Sequence, residues 1–289
     1  MSFKKYILIL TTLFLGSIVA KAQLCEDSVT VNVIRPVISA YTFDLGKASV
    51  LDTYLSSIKY KGVNLRFSYE RLQAAKFNPK KWIMQLETGL DYTPAKNPSK
   101  DLTIHTLMVD FSWGLMHRWK ITPELQLFGG GNAEFRGGAL YAPANSNNIA
   151  SAKVKLGLNL TGMAVYNKRI AKLPVTFRYQ VTLPLINSFY SPDYGESYYE
   201  MYVGNHSGLV HVGWLGNNFS MKNLFTADIR FGNTILRVGY RNIIETSWIN
   251  NLNTQIFRNS FVIGLCGEWI SVGTRTSLSN KAKIISAIY

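Results

Sequence analysis

The chain is poor in the residues that usually mark a cofactor or metal site. Only two cysteines, Cys25 and Cys266, occur in 289 residues. Two thiols allow one Cys25–Cys266 disulfide or two free cysteines, but not a disulfide scaffold. The four histidines, His105, His117, His206 and His211, share no metal-ligand spacing, so no metal is expected. Gly129-Gly130-Gly131 and Gly137-Gly138 lack the following Lys-Ser/Thr and the helix that a phosphate loop needs. No cofactor is expected either. Acidic residues are outnumbered, 17 against 31 basic, for a formal charge of +14. Beyond Ala20 no apolar run approaches the roughly 18–20 residues of a membrane helix.

The first residues have a different character. Lys4 and Lys5 precede an apolar run from Tyr6 to Ala20, and Ala20-Lys21-Ala22 is a small-x-small cleavage site. Residues 1–22 therefore read as a secretory signal, with Gln23 as the new N-terminus and 23–289 as one domain. Removing Lys4, Lys5 and Lys21 leaves +11. Export makes nucleic acid an unsuitable partner for this charge. Outer-membrane lipids and lipopolysaccharide phosphates suit it better.

Nearly everything downstream alternates apolar with polar. Val63, Leu65, Phe67 and Tyr69 fall on one face of a strand, and Asn64, Arg66, Ser68 and Glu70 on the other. The same period of two recurs at Leu107–Leu115, Val154–Leu160, Val175–Leu183, Phe225–Phe231, Leu236–Tyr240 and Phe261–Leu265. These segments exceed the roughly 5–6 residues usual in soluble strands. They match the roughly 9–11 of membrane strands. Exported, strand-rich and without a membrane helix, the chain reads as all-β. The expected fold is a transmembrane antiparallel up-and-down β-barrel of about twelve strands. Beyond residue 205 the strands are placed at 206–215, 219–232, 234–246, 256–270 and 281–289. Long connections at 47–57, 93–101, 140–148 and 187–205 would be extracellular.

In such a barrel the polar face lines the lumen. The inward parity carries Arg66, Glu70, Glu87, Asp110, Lys153, Lys155, Arg178, Asp228, Arg230, Arg237, Arg241 and Glu268. The two signs nearly balance, as a confined interior of paired charges requires. The reading is a narrow or plugged channel, or a surface-binding barrel, rather than a wide selective pore. A second candidate region is the Tyr-rich loop from Ser188 to Asn205. Its Tyr190, Tyr194, Tyr198 and Tyr199 suit stacking on a sugar or protein partner. The ligand itself is not named by any motif.

Ser197-Tyr198-Tyr199-Glu200, Leu236-Arg237-Val238-Gly239-Tyr240-Arg241-Asn242 and Phe261-Val262-Ile263-Gly264 carry a family likeness. With them, Ile34–Trp269 resembles the small outer-membrane β-barrel families of Gram-negative bacteria whose function is uncharacterised. The resemblance implies an outer-membrane location and transfers no catalytic residue. Tyr289, with Ala287 and Ile285 on its face, resembles the terminal signal read by the outer-membrane assembly machinery. Two alternatives stand beside this reading. One is an outer-membrane lipid hydrolase, a phospholipase or lipid A deacylase, for which Asn205-His206-Ser207-Gly208 supplies the residue types. However, neighbours on a regular strand face opposite ways, so His206 and Ser207 cannot pair as base and nucleophile. The other is a soluble periplasmic β protein.

Overall fold

The computed structural model describes residues 33–145, 148–171, 173–193, 203–204, 208–232, 234–269 and 283–288. The expected signal segment lies outside them, as do Cys25, Tyr194, Tyr198, Tyr199, His206, Ser207 and Tyr289.

Ten long strands close into a barrel. In chain order they are β1 (Val37–Asp52), β2 (Ser56–Ala74), β3 (Trp82–Lys96), β4 (Thr103–Lys120) and β5 (Leu125–Tyr141). There follow β6 (Ala150–Ile170), β7 (Leu173–Tyr190), β8 (Asn218–Phe231), β9 (Thr234–Ile249) and β10 (Leu252–Trp269). Each pairs antiparallel with the next. β10 then pairs with β1 from Thr254↔Asp52 to Trp269↔Val37, which closes the ring. A closed ring leaves no strand edge exposed to lipid.

The wall is inverted relative to a soluble domain. Tyr41 (55 % exposed), Phe67 (53 %) and Leu158 (52 %) point outward. Asp44, Arg66 and Asn159 beside them are buried in the lumen. This is the polarity of a transmembrane barrel. Aromatic rings collect on the outer face near both rims. Trp82 meets His117 edge-on at 5.1 Å, and His117 lies 4.7 Å from Trp119. At the other rim the Tyr92 hydroxyl is 2.9 Å from His105 Nδ1.

Ten strands rather than about twelve follow from two local causes. Among the described residues of 206–215, the strand is Val210–Gly213, and it pairs with the end of β7 from Tyr190↔Val210 to Asn187↔Gly213. The chain then makes a turn at 214–217 and returns to the same neighbour as β8. Asn217 holds this turn, accepting from the Trp214 backbone N–H and donating to the Val212 carbonyl. The two expected strands are one interrupted strand. Among the described residues of 281–289, which are 283–288, no barrel strand forms. Lys283–Ile284 instead pairs parallel with Val33–Ile34.

The connections also differ from expectation. β1 runs to Asp52, so 47–57 holds only a three-residue turn. β9 and β10 are joined by Asn250-Asn251, both with positive φ (53° and 58°). Asparagine tolerates that conformation, and two such residues make the tight hairpin whose twist suits paired strands. The long connection β7–β8 lies at the same rim, here called the hairpin rim. The opposite rim carries Val37 and Trp269 and is called the terminal rim.

Candidate functional site: a lumen filled with paired charge

The middle of the lumen is a lattice of ion pairs between facing walls. On one side, Glu70 of β2 receives Arg178 of β7 at 2.5 and 2.7 Å and Arg237 of β9 at 2.6 Å. Arg237 also grips Asp228 of β8 with two bonds of 2.7 and 2.8 Å. Gln85 and Gln180 complete this group. Next to it, Arg241 joins Asp44 of β1 and Glu87 of β3, each at 2.7 Å.

A second group lies toward the hairpin rim. Arg66 of β2 donates to Asp91 at 2.7 Å and to both Asp110 oxygens at 2.6 and 2.9 Å. Arg136 of β5 reaches Asp110 at 3.0 Å and Glu245 of β9 at 2.9 Å. Arg258 of β10 shares Glu245 at 2.9 Å. Lys222 of β8 holds Glu134 of β5 at 2.6 Å, and Lys153 holds Asp52 at 2.9 Å. Arg66, Arg178, Arg237 and Arg258 are each about 1 % exposed. Charges buried to this depth persist only when paired and hydrogen-bonded. Gly89 is part of the arrangement, because a Cβ there would lie 2.1 Å from an Arg66 guanidinium nitrogen.

Apolar layers lie above and below the charge. At the hairpin rim, Val50, Tyr54, Leu55, Ile104, Leu140 and Ile256 belong to one buried cluster. At the terminal rim, Leu72, Ile83, Met116 and Phe128 pack with Ala287 and Ile288 from the C-terminal segment. That segment is tied in by Ile285 N–H to the Ile34 carbonyl (2.9 Å), Arg118 to the Ser286 carbonyl (3.0 Å) and Gln126 to the Ile288 carbonyl (3.3 Å). Beside it two open recesses, of about 710 and 480 Å³, share Arg230 in their walls.

The expected lumen residues therefore sort into three kinds. Arg66, Glu70, Glu87, Asp110, Lys153, Arg178, Asp228, Arg237 and Arg241 join the lattice. Arg230 and Glu268 pair at 3.4 Å in the wider terminal rim, partly exposed. Lys155 faces the lumen with no carboxylate within 4.0 Å among the described residues. Sequence reading missed Asp44, Asp52, Lys222, Glu245 and Arg258, all on the inward parity of their strands. Of the tyrosines, Tyr190 is not in a loop. A bulge puts Leu185 and Ile186 both outward, so Phe189 turns into the lumen and Tyr190 ends β7. Cys266 is a buried free thiol, not a disulfide partner. Among the described residues no group of histidine, cysteine and carboxylate could hold a metal.

Residues 6–276 match a family described as a protein of unknown function, DUF3316. The chain belongs to the DUF3316 family. No curated protein matches it. Among solved structures, this DUF3316 barrel is similar to the transport unit of the autotransporter AIDA-I from Escherichia coli. Identity is 11 %, covering 90 % of this chain and 97 % of that one, with a TM-score of 0.43. It is also similar to the outer membrane protease OmpT from Escherichia coli, at 8 % identity, 84 % and 99 % coverage and a TM-score of 0.40. The translocator domain of autotransporter NalP from Neisseria meningitidis gives 10 %, 92 %, 97 % and 0.39. Likeness this remote says nothing about activity.

Proposed function

We propose that this DUF3316 chain is a Gram-negative outer-membrane barrel whose lumen is plugged at rest, so that it is not a general porin. One observation carries the reading. Buried arginines on β7 and β9 reach carboxylates on β2 and β3 across the lumen, and apolar layers flank the charge toward both rims. Barrels of about eight strands are filled by side chains, while about 16–18 leave an aqueous channel. Ten strands lie near the filled limit.

The signal-like segment at 1–22 and the lipid-facing belt support export to the outer membrane. Contact with its lipids and lipopolysaccharide follows, and so does insertion by the outer-membrane assembly machinery. The hydrolase alternative has no comparable support. His206 and Ser207 lie outside the described residues, and His211 Nε2 sits between the Ser191 carbonyl (3.1 Å) and the Asn250 side-chain amide (3.2 Å). Purified protein in planar bilayers should give no steady conductance above that of a detergent control. A large, stable conductance would sink the proposal.

A further inference from the structure

Toward the hairpin rim the lumen keeps a cavity of about 70 Å³, lined by described residues. A site holding one water needs roughly 10–15 Å³ on this measure, so the space suits a ligand of only a few heavy atoms. Its wall is mixed. Met108, Phe189 and Ile256 supply apolar surface, and Arg136, Lys153 and Lys155 supply cations.

These cations are not equivalent. Arg136 is held by Glu245 at 2.9 Å, and Lys153 by Asp52 at 2.9 Å. Lys153 also donates to Thr254 Oγ1 at 3.1 Å. Lys155 has no carboxylate within 4.0 Å among the described residues. The acids that could serve it are engaged. Glu134 gives one oxygen to Lys222 at 2.6 Å and the other to Asn159 at 2.7 Å. Glu245 is shared by Arg136 and Arg258. Among the described residues, Lys155 is thus a lumen ammonium without a carboxylate partner, and it borders this cavity. An ammonium in such a place is stabilised by an anion that brings its own apolar surface.

We infer that this cavity binds a short-chain monocarboxylate, with its carboxylate on Lys155 and its alkyl tail against Met108, Phe189 and Ile256. The size limits the tail to a few carbons. The mixed wall disfavours an ion with no apolar part.

The probe is ¹³C-labelled propionate, titrated by NMR against barrel folded in non-ionic detergent. Saturable binding is expected. Propanol at equal concentration should not compete, because it lacks the charge. Inorganic phosphate should compete poorly, because it lacks the tail. Lys155→Met should weaken propionate binding at least tenfold, while Lys155→Arg retains most of it. Folding of each variant is read from the band shift between unheated and boiled samples. If Lys155→Met fails to fold, wild-type protein still decides. Propionate should then slow reductive methylation of Lys155, followed by mass spectrometry, more than that of Lys100, which is exposed in the turn at 97–102. No saturable binding, undiminished binding by folded Lys155→Met, no protection of Lys155, or competition by propanol or phosphate as strong as by propionate would each overturn the assignment.

Discussion

Both rims of the lumen carry a layer of apolar side chains, yet from different parts of the chain. At the hairpin rim the layer consists of strand and turn residues, such as Val50, Tyr54 and Ile256. It is inseparable from the wall. At the terminal rim the wall contributes Leu72, Ile83 and Met116, but Ala287 and Ile288 come from a segment that is not a barrel strand. Three hydrogen bonds hold its backbone, one donated to the carbonyl of residue 34 and two accepted from the side chains of residues 118 and 126. One layer fails only with the fold, whereas the other can be lost while the barrel stands.

The strongest way to break the comparison is to attack what lies between the rims. Arg237→Met removes one partner of Glu70, which keeps Arg178, and the arginine that grips Asp228 with two bonds. Weakening the pairing of two buried carboxylates should cost about 3–5 kcal/mol at most, read as loss of the compact unheated band in urea. Ile104→Ala and Ile288→Ala compare the rims directly. The first opens a cavity inside the wall and should cost about 2–5 kcal/mol. The second truncates a side chain of the added segment. It should cost less in barrel stability, and bilayers should stay electrically silent because the charge lattice persists. Equal urea midpoints for the two variants would erase the distinction.

Midway along the wall, Leu158→Arg puts a charge in lipid, at a cost of about 2–4 kcal/mol. Alternation alone suggests that Asn159→Arg, facing the lumen, is mild. The neighbourhood says otherwise. Asn159 is 5 % exposed and donates to Glu134 and Asn132, so the larger cation finds no room. Both variants should lose folded protein, as band-shift yields would record.

The smallest effect is expected in the turn at 97–102 on the hairpin rim. Hydrogen bonds from Ser99, then Asn97, hold the Asp101 carboxyl below its ordinary range. A lowered folded-state value means that this contribution is complete above the ordinary carboxylate range. It fades as pH falls through the lowered value. The protection of the amides at 99–102, taken relative to their intrinsic exchange rates, should therefore be lower in acid than at neutral pH. Asp101→Asn should flatten that pH dependence without moving the urea midpoint. An unchanged exchange profile in the variant would remove Asp101 from the turn's account.

The wall was legible in the sequence because alternation is local. Val63 through Glu70 declare their faces without knowledge of any other strand. That parity also held the missed residues: Lys222 shares a face with Asp228, and Glu245 shares one with Arg237 and Arg241. What alternation does not encode is which charges meet. Glu70 and Arg237 are 167 positions apart, and their contact depends on ring size and stagger. Lys155 likewise looks like any other inward lysine until its neighbours are known to be taken. The strand count differs slightly, ten and an extra short strand against about twelve, where the pattern gives no cue. An interrupted strand reads as two, and a buried apolar tail with Ala287 and Ile288 reads as one more strand.

The cross-lumen pairs also govern how the barrel can assemble. Arg178–Glu70, Arg237–Glu70 and Arg241–Glu87 join residues 108, 167 and 154 positions apart. None can form while the sheet is open, because their strands face one another only after β10 has met β1. A partly zipped sheet thus carries unmatched charge that the finished ring does not. Its stabilisation arrives together, at closure, which makes the last step steep. Half-closed sheets should not accumulate, and the barrel should appear in time courses as one late, all-or-none event.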